Sequence, residues 1–117
     1  MAGCVLKVQN RRVKAEELLS SGIFTNTTTF QDGFNFTISE SEEFSTQLSD
    51  SEAFLKTNTK VCKKLTEQLQ PDAPVLDFGF WKTEDPVQSV TFPSSLVELA
   101  GSLGFELCAS FYEISDL

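Results

Sequence analysis

Apolar and polar residues alternate in four stretches of the chain, a period typical of β-strands that bury one face. These stretches are residues 4–9, 34–39, 75–82 and 105–114. A weaker strand over 27–30 would pair with 34–39, because Asp32-Gly33 between them is a common hairpin turn. The patterns together predict a core that includes Phe36, Phe78, Phe80, Leu99 and Phe111.

Apolar residues at helical spacing predict a short helix over 13–19 and a long helix that begins near Asp50. The short helix would end at Gly22, a residue type common just after a helix. At the start of the long helix, a serine and a glutamate have the spacing of a capping box. The long helix ends near Gln70, because the residue before Pro71 disfavours helical backbone.

Composition assigns the remaining segments. Residues 39–52 are polar and acidic, which predicts a solvated loop before the long helix. Residues 90–92 predict a short strand. A third helix follows, which begins near Ser95 and ends at Gly104.

The predicted elements describe one α+β domain over residues 1–117. The length of 117 residues and the hydrophobic content of 40% suit a single packed core. Because each strand has one apolar face, we expect a mostly antiparallel sheet with the helices on one side. The predicted fold class is therefore a two-layer sandwich of ferredoxin-like kind.

The net charge of −8 is distributed unevenly. Residues 1–64 contain eight basic and eight acidic side chains, whereas residues 65–117 contain nine acids and Lys82 alone. An acidic surface repels nucleic acids and anionic membranes and attracts basic proteins. We therefore expect a basic protein partner, no nucleic acid and no membrane. The alternative is a solvated acidic surface that only keeps the protein soluble.

The residue types that enzymes use most are scarce. The chain has no histidine, the commonest general base and metal ligand, and no glycine-rich phosphate loop. Cys4, Cys62 and Cys108 lack the spacing of a zinc site and the even number of a disulfide framework. Cys62 stands among lysines, which fits either a reactive thiol or an ordinary helix residue, while Cys4 and Cys108 are expected to be at least half-buried. We expect no catalytic residues, no cofactor and no metal.

The sequence carries no recognisable targeting or membrane segment. No apolar run reaches the ~20 residues of a membrane span, and the first residues lack the apolar centre of a secretory signal. We therefore expect a cytoplasmic protein.

A candidate binding surface lies across strands 75–82 and 105–114, on the side turned away from the helices. Trp and Tyr are common interface anchors, because they bury a large area with few rotatable bonds. The predicted partner-binding residues are Asp77, Trp81, Glu84, Asp85, Glu106 and Tyr112. Two alternatives remain open. In the first, Trp81 is an ordinary half-buried sheet residue with no binding role. In the second, the acids at 77, 84 and 85 converge on a cation, which requires that their turn folds back.

The segment from 75 to 114 combines a strand, a helix opened by an aromatic residue and a proline, a Leu-Gly pair and a second alternating strand. The residues of this pattern are Phe92, Pro93, Leu96, Leu99, Leu103 and Gly104. The segment resembles the C-terminal half of a bacterial and phage family of small α+β domains of unknown function. The resemblance implies the fold and transfers no active site, and immunity-type roles are suspected for members of that family.

Two hypotheses of different class follow. The first is a non-enzymatic acidic interaction protein that binds a basic protein and inhibits or modulates it, as an immunity protein or a phage inhibitor does. The alternative is a regulatory domain that binds a small ligand as a homodimer, because ferredoxin-like sheets often pair edge to edge and hold ligands between subunits.

Overall fold

The computed structural model describes residues 2–9, 27–30, 33–85 and 87–113. The predicted helix over 13–19, Gly22 and Asp32 lie outside the described residues. Within the described part of the chain, the structure contains five strands and three helices, which we number in chain order.

The five strands form one mixed sheet. They are β1 (Gly3–Gln9), β2 (Thr27–Phe30), β3 (Gly33–Ser39), β4 (Val75–Trp81) and β5 (Glu106–Tyr112). Their order across the sheet is β2-β3-β1-β4-β5. Every pairing is antiparallel except that of β4 with β5, which is parallel. The predicted strands and the hairpin pairing of 27–30 with 34–39 are confirmed, and β5 is an edge strand.

The predicted long helix is divided into two. The helices of the structure are α1 (Phe44–Thr57), α2 (Thr59–Leu69) and α3 (Ser94–Ser102). The division occurs at Asn58, whose side-chain Nδ2 and backbone N–H both donate to the carbonyl oxygen of Phe54 at 3.0 Å. The end of α2 at Leu69 confirms the predicted stop ahead of Pro71.

The start of α1 differs from the prediction. Residues 39–52 do not form a loop, because α1 begins at Phe44 rather than near Asp50. A polar residue, Gln47, lies on the buried side of the helix, where its Nε2 donates to the carbonyl oxygen of Gly79 at 3.0 Å. Buried polar residues hide the helical period, since that period is recognised from apolar side chains.

The predicted short strand over 90–92 is wrong. Residues 87–93 contain no strand, and no strand of the described residues pairs with their backbone. The ring of Phe92 instead packs against that of Phe78, with 5.1 Å between the centroids. The segment thus closes the core as an irregular chain.

Gly104 fixes the end of α3, as predicted. Its φ of +78° lies in the region that favours glycine, and a Cβ there would collide with the side chain of Thr66. Thr66 Oγ1 donates to the carbonyl oxygen of Leu103 at 2.7 Å, which ties the end of α3 to α2.

The helices and one side of the sheet enclose a single core, so the fold is a two-layer α/β sandwich. Its largest fully buried side chains include Leu6, Phe34, Leu55, Leu65, Phe78 and Leu96. Phe36 and Phe80 are also buried as predicted, and Leu99 packs against the core. The prediction for Phe111 is wrong: its side chain is 41% exposed, and among the described residues β5 has a neighbouring strand on one side only.

Candidate functional site

The candidate surface is the side of the sheet that no described helix covers, which we call the open face. Leu76, Phe78 and Phe80 of β4 are buried in the core, and successive residues of a strand point to opposite faces. Asp77 and Trp81 therefore lie on the open face. The parallel register places Cys108 opposite Asp77 and Tyr112 opposite Trp81 on the same face of β5.

Asp77 is bound by two other residues of the open face. Its carboxylate is 3% exposed, lies 2.6 Å from Lys7 Nζ, and accepts a hydrogen bond of 2.7 Å from Ser110 Oγ. The hydrogen bond to Asp77 raises the pKa of Lys7 above its usual value, against a smaller lowering by burial. Both carboxylate oxygens are thus bound by residues of this chain, and Asp77 of β4 links β1 to β5 across the open face.

Trp81 and Tyr112 form an aromatic pair where β4 and β5 end. Their ring centroids are 6.4 Å apart, and the ring planes meet at 67°. Both side chains are half-buried, so each presents part of its ring to solvent. An amphipathic pair of this kind offers apolar area and two polar tips on one site.

Glu84 and Asp85 lie three and four residues after Trp81, in the connection between β4 and α3. The carboxamide of Gln88 accepts a hydrogen bond from the backbone N–H of Thr83 at 3.0 Å and donates to the carbonyl oxygen of Trp81 at 3.3 Å. Both acidic side chains are exposed. Gln88, which sequence analysis did not select, thus links Trp81 to Thr83, the residue that directly precedes the two acids.

Glu106 lies at the other end of β5. It is opposite Val75 in the register, whereas Tyr112 is opposite Trp81. Six residues of strand separate Glu106 from Tyr112, a distance of about 20 Å at ~3.3 Å per residue. The predicted set is therefore divided within one chain: Trp81 and Tyr112 are neighbours, the exposed loop acids follow Trp81 by three and four residues, and Glu106 is remote.

A groove of about 340 Å³ borders the ring of Trp81. It is lined by Ala2, Gly3, Val5, Thr37, Ser39, Glu40, Glu42 and Trp81. Glu40 and Glu42 are exposed, so two further carboxylates lie at the groove. In the chain they precede Trp81, whereas Glu84 and Asp85 follow it. Sequence analysis missed both, because the pairing of β1 between β3 and β4 is what brings the end of β3 to Trp81.

The thiols differ in exposure. Cys4 and Cys62 are buried, and burial raises the pKa of Cys62 to about 11 and that of Cys4 further still. Both are therefore protonated, weakly nucleophilic groups at neutral pH. Cys108 is exposed, contrary to prediction, because it faces outward on an edge strand.

The described residues contain no group of three His, Cys, Asp or Glu side chains that could hold a metal ion. Among the same residues, no helix has the length and apolar character needed to cross a membrane.

Comparisons with known proteins give no significant match to a family model, a curated protein or a solved structure.

Proposed function

We propose that the protein binds a basic protein through the Trp81–Tyr112 end of the open face, and inhibits or modulates that partner without catalysing a reaction. The observation that carries the proposal is a pair of half-buried aromatic rings with exposed acids in the connection after Trp81 and at the groove that Trp81 lines. Glu84 and Asp85 follow the rings, and Glu40 and Glu42 line the groove beside them.

The charge balance of this surface favours a cationic partner. Lys7 is neutralised by Asp77, and Lys82 lies 3.4 Å from the carboxylate of Glu113. The acids around the aromatic pair are thus not offset by these two lysines. Such a surface attracts basic proteins over distances up to the Debye length of about 8 Å at physiological salt.

The groove suits one long basic side chain of the partner. An arginine or lysine there would place its charged group near Glu40 and Glu42 and its stem against the Trp81 ring. A cation over an indole ring contributes about 0.5–2 kcal/mol, and arginine also stacks on the ring plane. Trp81 would then act as the anchor and the surrounding acids would set the rate of association.

Three finer features belong to the same proposal. The order β2-β3-β1-β4 with antiparallel neighbours supports a ferredoxin-like sheet extended by β5. Free thiols at Cys4, Cys62 and Cys108 support a reducing compartment, which favours the cytoplasm. The immunity-type or phage-inhibitor role is the one that the resemblance of residues 75–114 suggests.

The test is capture of partners from native lysate by wild type, followed by binding kinetics of each captured protein at low and high salt. Glu84→Lys/Asp85→Lys should mainly slow association, whereas Trp81→Ala should mainly speed dissociation, by about tenfold or more. A matched control, Glu67→Lys/Glu98→Lys, reverses two exposed acids of α2 and α3. Both double variants change the net charge from −8 by +4 to −4.

Equal slowing by the two double variants would mean that net charge alone attracts the partner. A captured protein whose affinity is independent of salt and of Trp81→Ala would contradict the proposal.

The groove also supports the alternative function. Its volume of about 340 Å³ falls at the lower end of small-ligand pockets, which span about 300–1,000 Å³. A small cationic metabolite would contact Trp81, Glu40 and Glu42 in the same way as the proposed basic side chain of a protein partner. Thermal shift with a panel of cationic metabolites, repeated with Trp81→Ala, separates this function from protein binding.

A further inference from the structure

The outer edge of β5 is an unpaired seven-residue strand. β5 pairs with β4 on one side, and no described residue pairs with it on the other. Exposed strand edges are templates for a further strand, and proteins usually protect them with lysine, proline or a bulge. The strand, Glu-Leu-Cys-Ala-Ser-Phe-Tyr, contains one charged residue and none of these protective features.

The direction of the backbone groups follows from the hydrogen bonds at the two ends of β5. The N–H of Glu106 donates to the carbonyl oxygen of Pro74 at 3.0 Å, and the carbonyl oxygen of Tyr112 accepts from the N–H of Lys82 at 2.6 Å. The even-numbered residues therefore direct their backbone groups to β4. Because this direction alternates along a strand, the groups of Leu107, Ala109 and Phe111 point outward.

We propose that a second copy of this chain pairs with the free edge of β5, antiparallel and about a two-fold axis at Ala109. In this register Ala109 is opposite its own copy, and Leu107 is opposite Phe111. The outward-facing residues of the two copies then form three hydrogen-bonded pairs. The two residues of each pair exchange two hydrogen bonds between backbone N–H and carbonyl groups. A two-fold axis at either neighbouring outward residue would leave part of this set unpaired.

The side chains agree with the same register. Phe111, 41% exposed in the single chain, would pack against Leu107 of the second copy on the helical side of the sheet. On the open face, Cys108 would be opposite Ser110, and Glu106 opposite Tyr112. No like charges oppose each other, since Glu106 is the only charged residue of the strand.

The proposed dimer does not depend on the proposed function, because neither the basic partner nor the groove enters the argument. It does change the composition of the binding surface. Glu106 of one copy, remote from Tyr112 of its own chain, would lie beside Tyr112 of the other copy.

The direct test is sedimentation of the wild type over a range of concentrations, with reductant present to prevent disulfides through Cys108. The expected mass rises from 13.0 kDa toward twice that value. Phe111→Lys should remain a monomer over the same range. Val87→Lys, a matched change at a side chain that is 76% exposed in the connection between β4 and α3, should still dimerise.

Amide hydrogen exchange of the wild type avoids any folding defect of the variants. Exchange at Leu107, Ala109 and Phe111 should slow as concentration rises, whereas exchange at Cys108 and Ser110, which face β4, should not change.

A wild-type monomer at every concentration would overturn the proposal. So would a dimer in which these three amides remain unprotected or which Phe111→Lys leaves intact, since another surface would then form it. Neither result would bear on capture of a basic partner, so the two proposals fail separately.

Discussion

Replacement of Lys7 by methionine should destabilise the fold mainly because it leaves the buried carboxylate of Asp77 without this cationic partner. Methionine keeps most of the apolar stem of lysine, so packing changes little. Asp77, however, keeps a carboxylate that is almost fully buried and loses its only cationic partner among the described residues. A buried charge without a counter-ion is costly, because the protein interior solvates it poorly.

The solvent exposure of the Lys7–Asp77 pair sets the expected loss of unfolding free energy. Loss of one partner from a fully buried pair costs about 3–5 kcal/mol, whereas a fully exposed pair contributes about 0–1 kcal/mol. The Lys7 side chain is 39% exposed and that of Asp77 is 4% exposed, so this pair lies between the two cases. Ser110 continues to donate to Asp77 after the change. We therefore expect a loss of about 2–3 kcal/mol.

Urea unfolding of Lys7→Met, Asp77→Asn and the double variant gives the interaction directly. The double variant should lose less than the sum of the single variants, by about 1–2 kcal/mol, because asparagine carries no charge to leave unpaired. Lys82→Met is the matched control, since its partner Glu113 is exposed, and it should cost at most about 0.5 kcal/mol. Additive single losses, or equal losses at Lys7 and Lys82, would refute the role given to the pair.

Three further predictions concern the same structure. The pKa of Lys7 is raised in the folded state. The contribution of Lys7 to the free energy of unfolding is therefore complete at pH values below its ordinary pKa of 10.5, and is lost as pH rises through the raised pKa. The stability difference between wild type and Lys7→Met should therefore shrink in alkaline urea titrations, and a constant difference would contradict it. Phe78→Ala should cost about 3–5 kcal/mol in urea unfolding, against about 1 kcal/mol for the exposed Phe111→Ala in dilute protein; similar losses would contradict the assigned burial. In native protein, an alkylating reagent should label Cys108 and leave Cys62 unmodified until unfolding, as counted by mass spectrometry; native labelling of Cys62 would show that it is accessible.

The strands could be predicted because their signal is local. In β3, apolar and polar residues alternate strictly, and in β4 Leu76, Phe78 and Phe80 alternate with Asp77 and Gly79. Phe34, Phe36 and Phe78 are buried as that alternation requires. The first half of α1 could not be predicted in this way. Its buried side includes Gln47, whose Nε2 donates to a backbone carbonyl of β4, and no short stretch of sequence contains that partner.

The candidate site divides along the same line. That Trp81 and Tyr112 share a face could be predicted, because the faces of β4 and β5 follow from alternation alone. Their contact could not, since it depends on the parallel register of the two strands, whereas the sequence predicts a mostly antiparallel sheet. The partner of Asp77 could not, since Lys7 reaches it only when β1 pairs with β4, and that pairing joins distant parts of the chain. For the same reason, alternation does not predict that Glu40 and Glu42, in the connection after β3, line the groove beside Trp81.

The proposed dimer would bring Glu106 into the proposed binding surface, and this makes the relation between the two proposals testable. Within a single chain Glu106 is about 20 Å from Tyr112 along β5, too far to act on the same partner side chain. Across the proposed two-fold axis the two residues are directly opposite, so the acidic and aromatic groups would meet only in the dimer. A basic partner that contacts both would bind the dimer more tightly than the monomer. Binding and dimerisation would then strengthen each other to the same extent, because coupling between two equilibria is reciprocal.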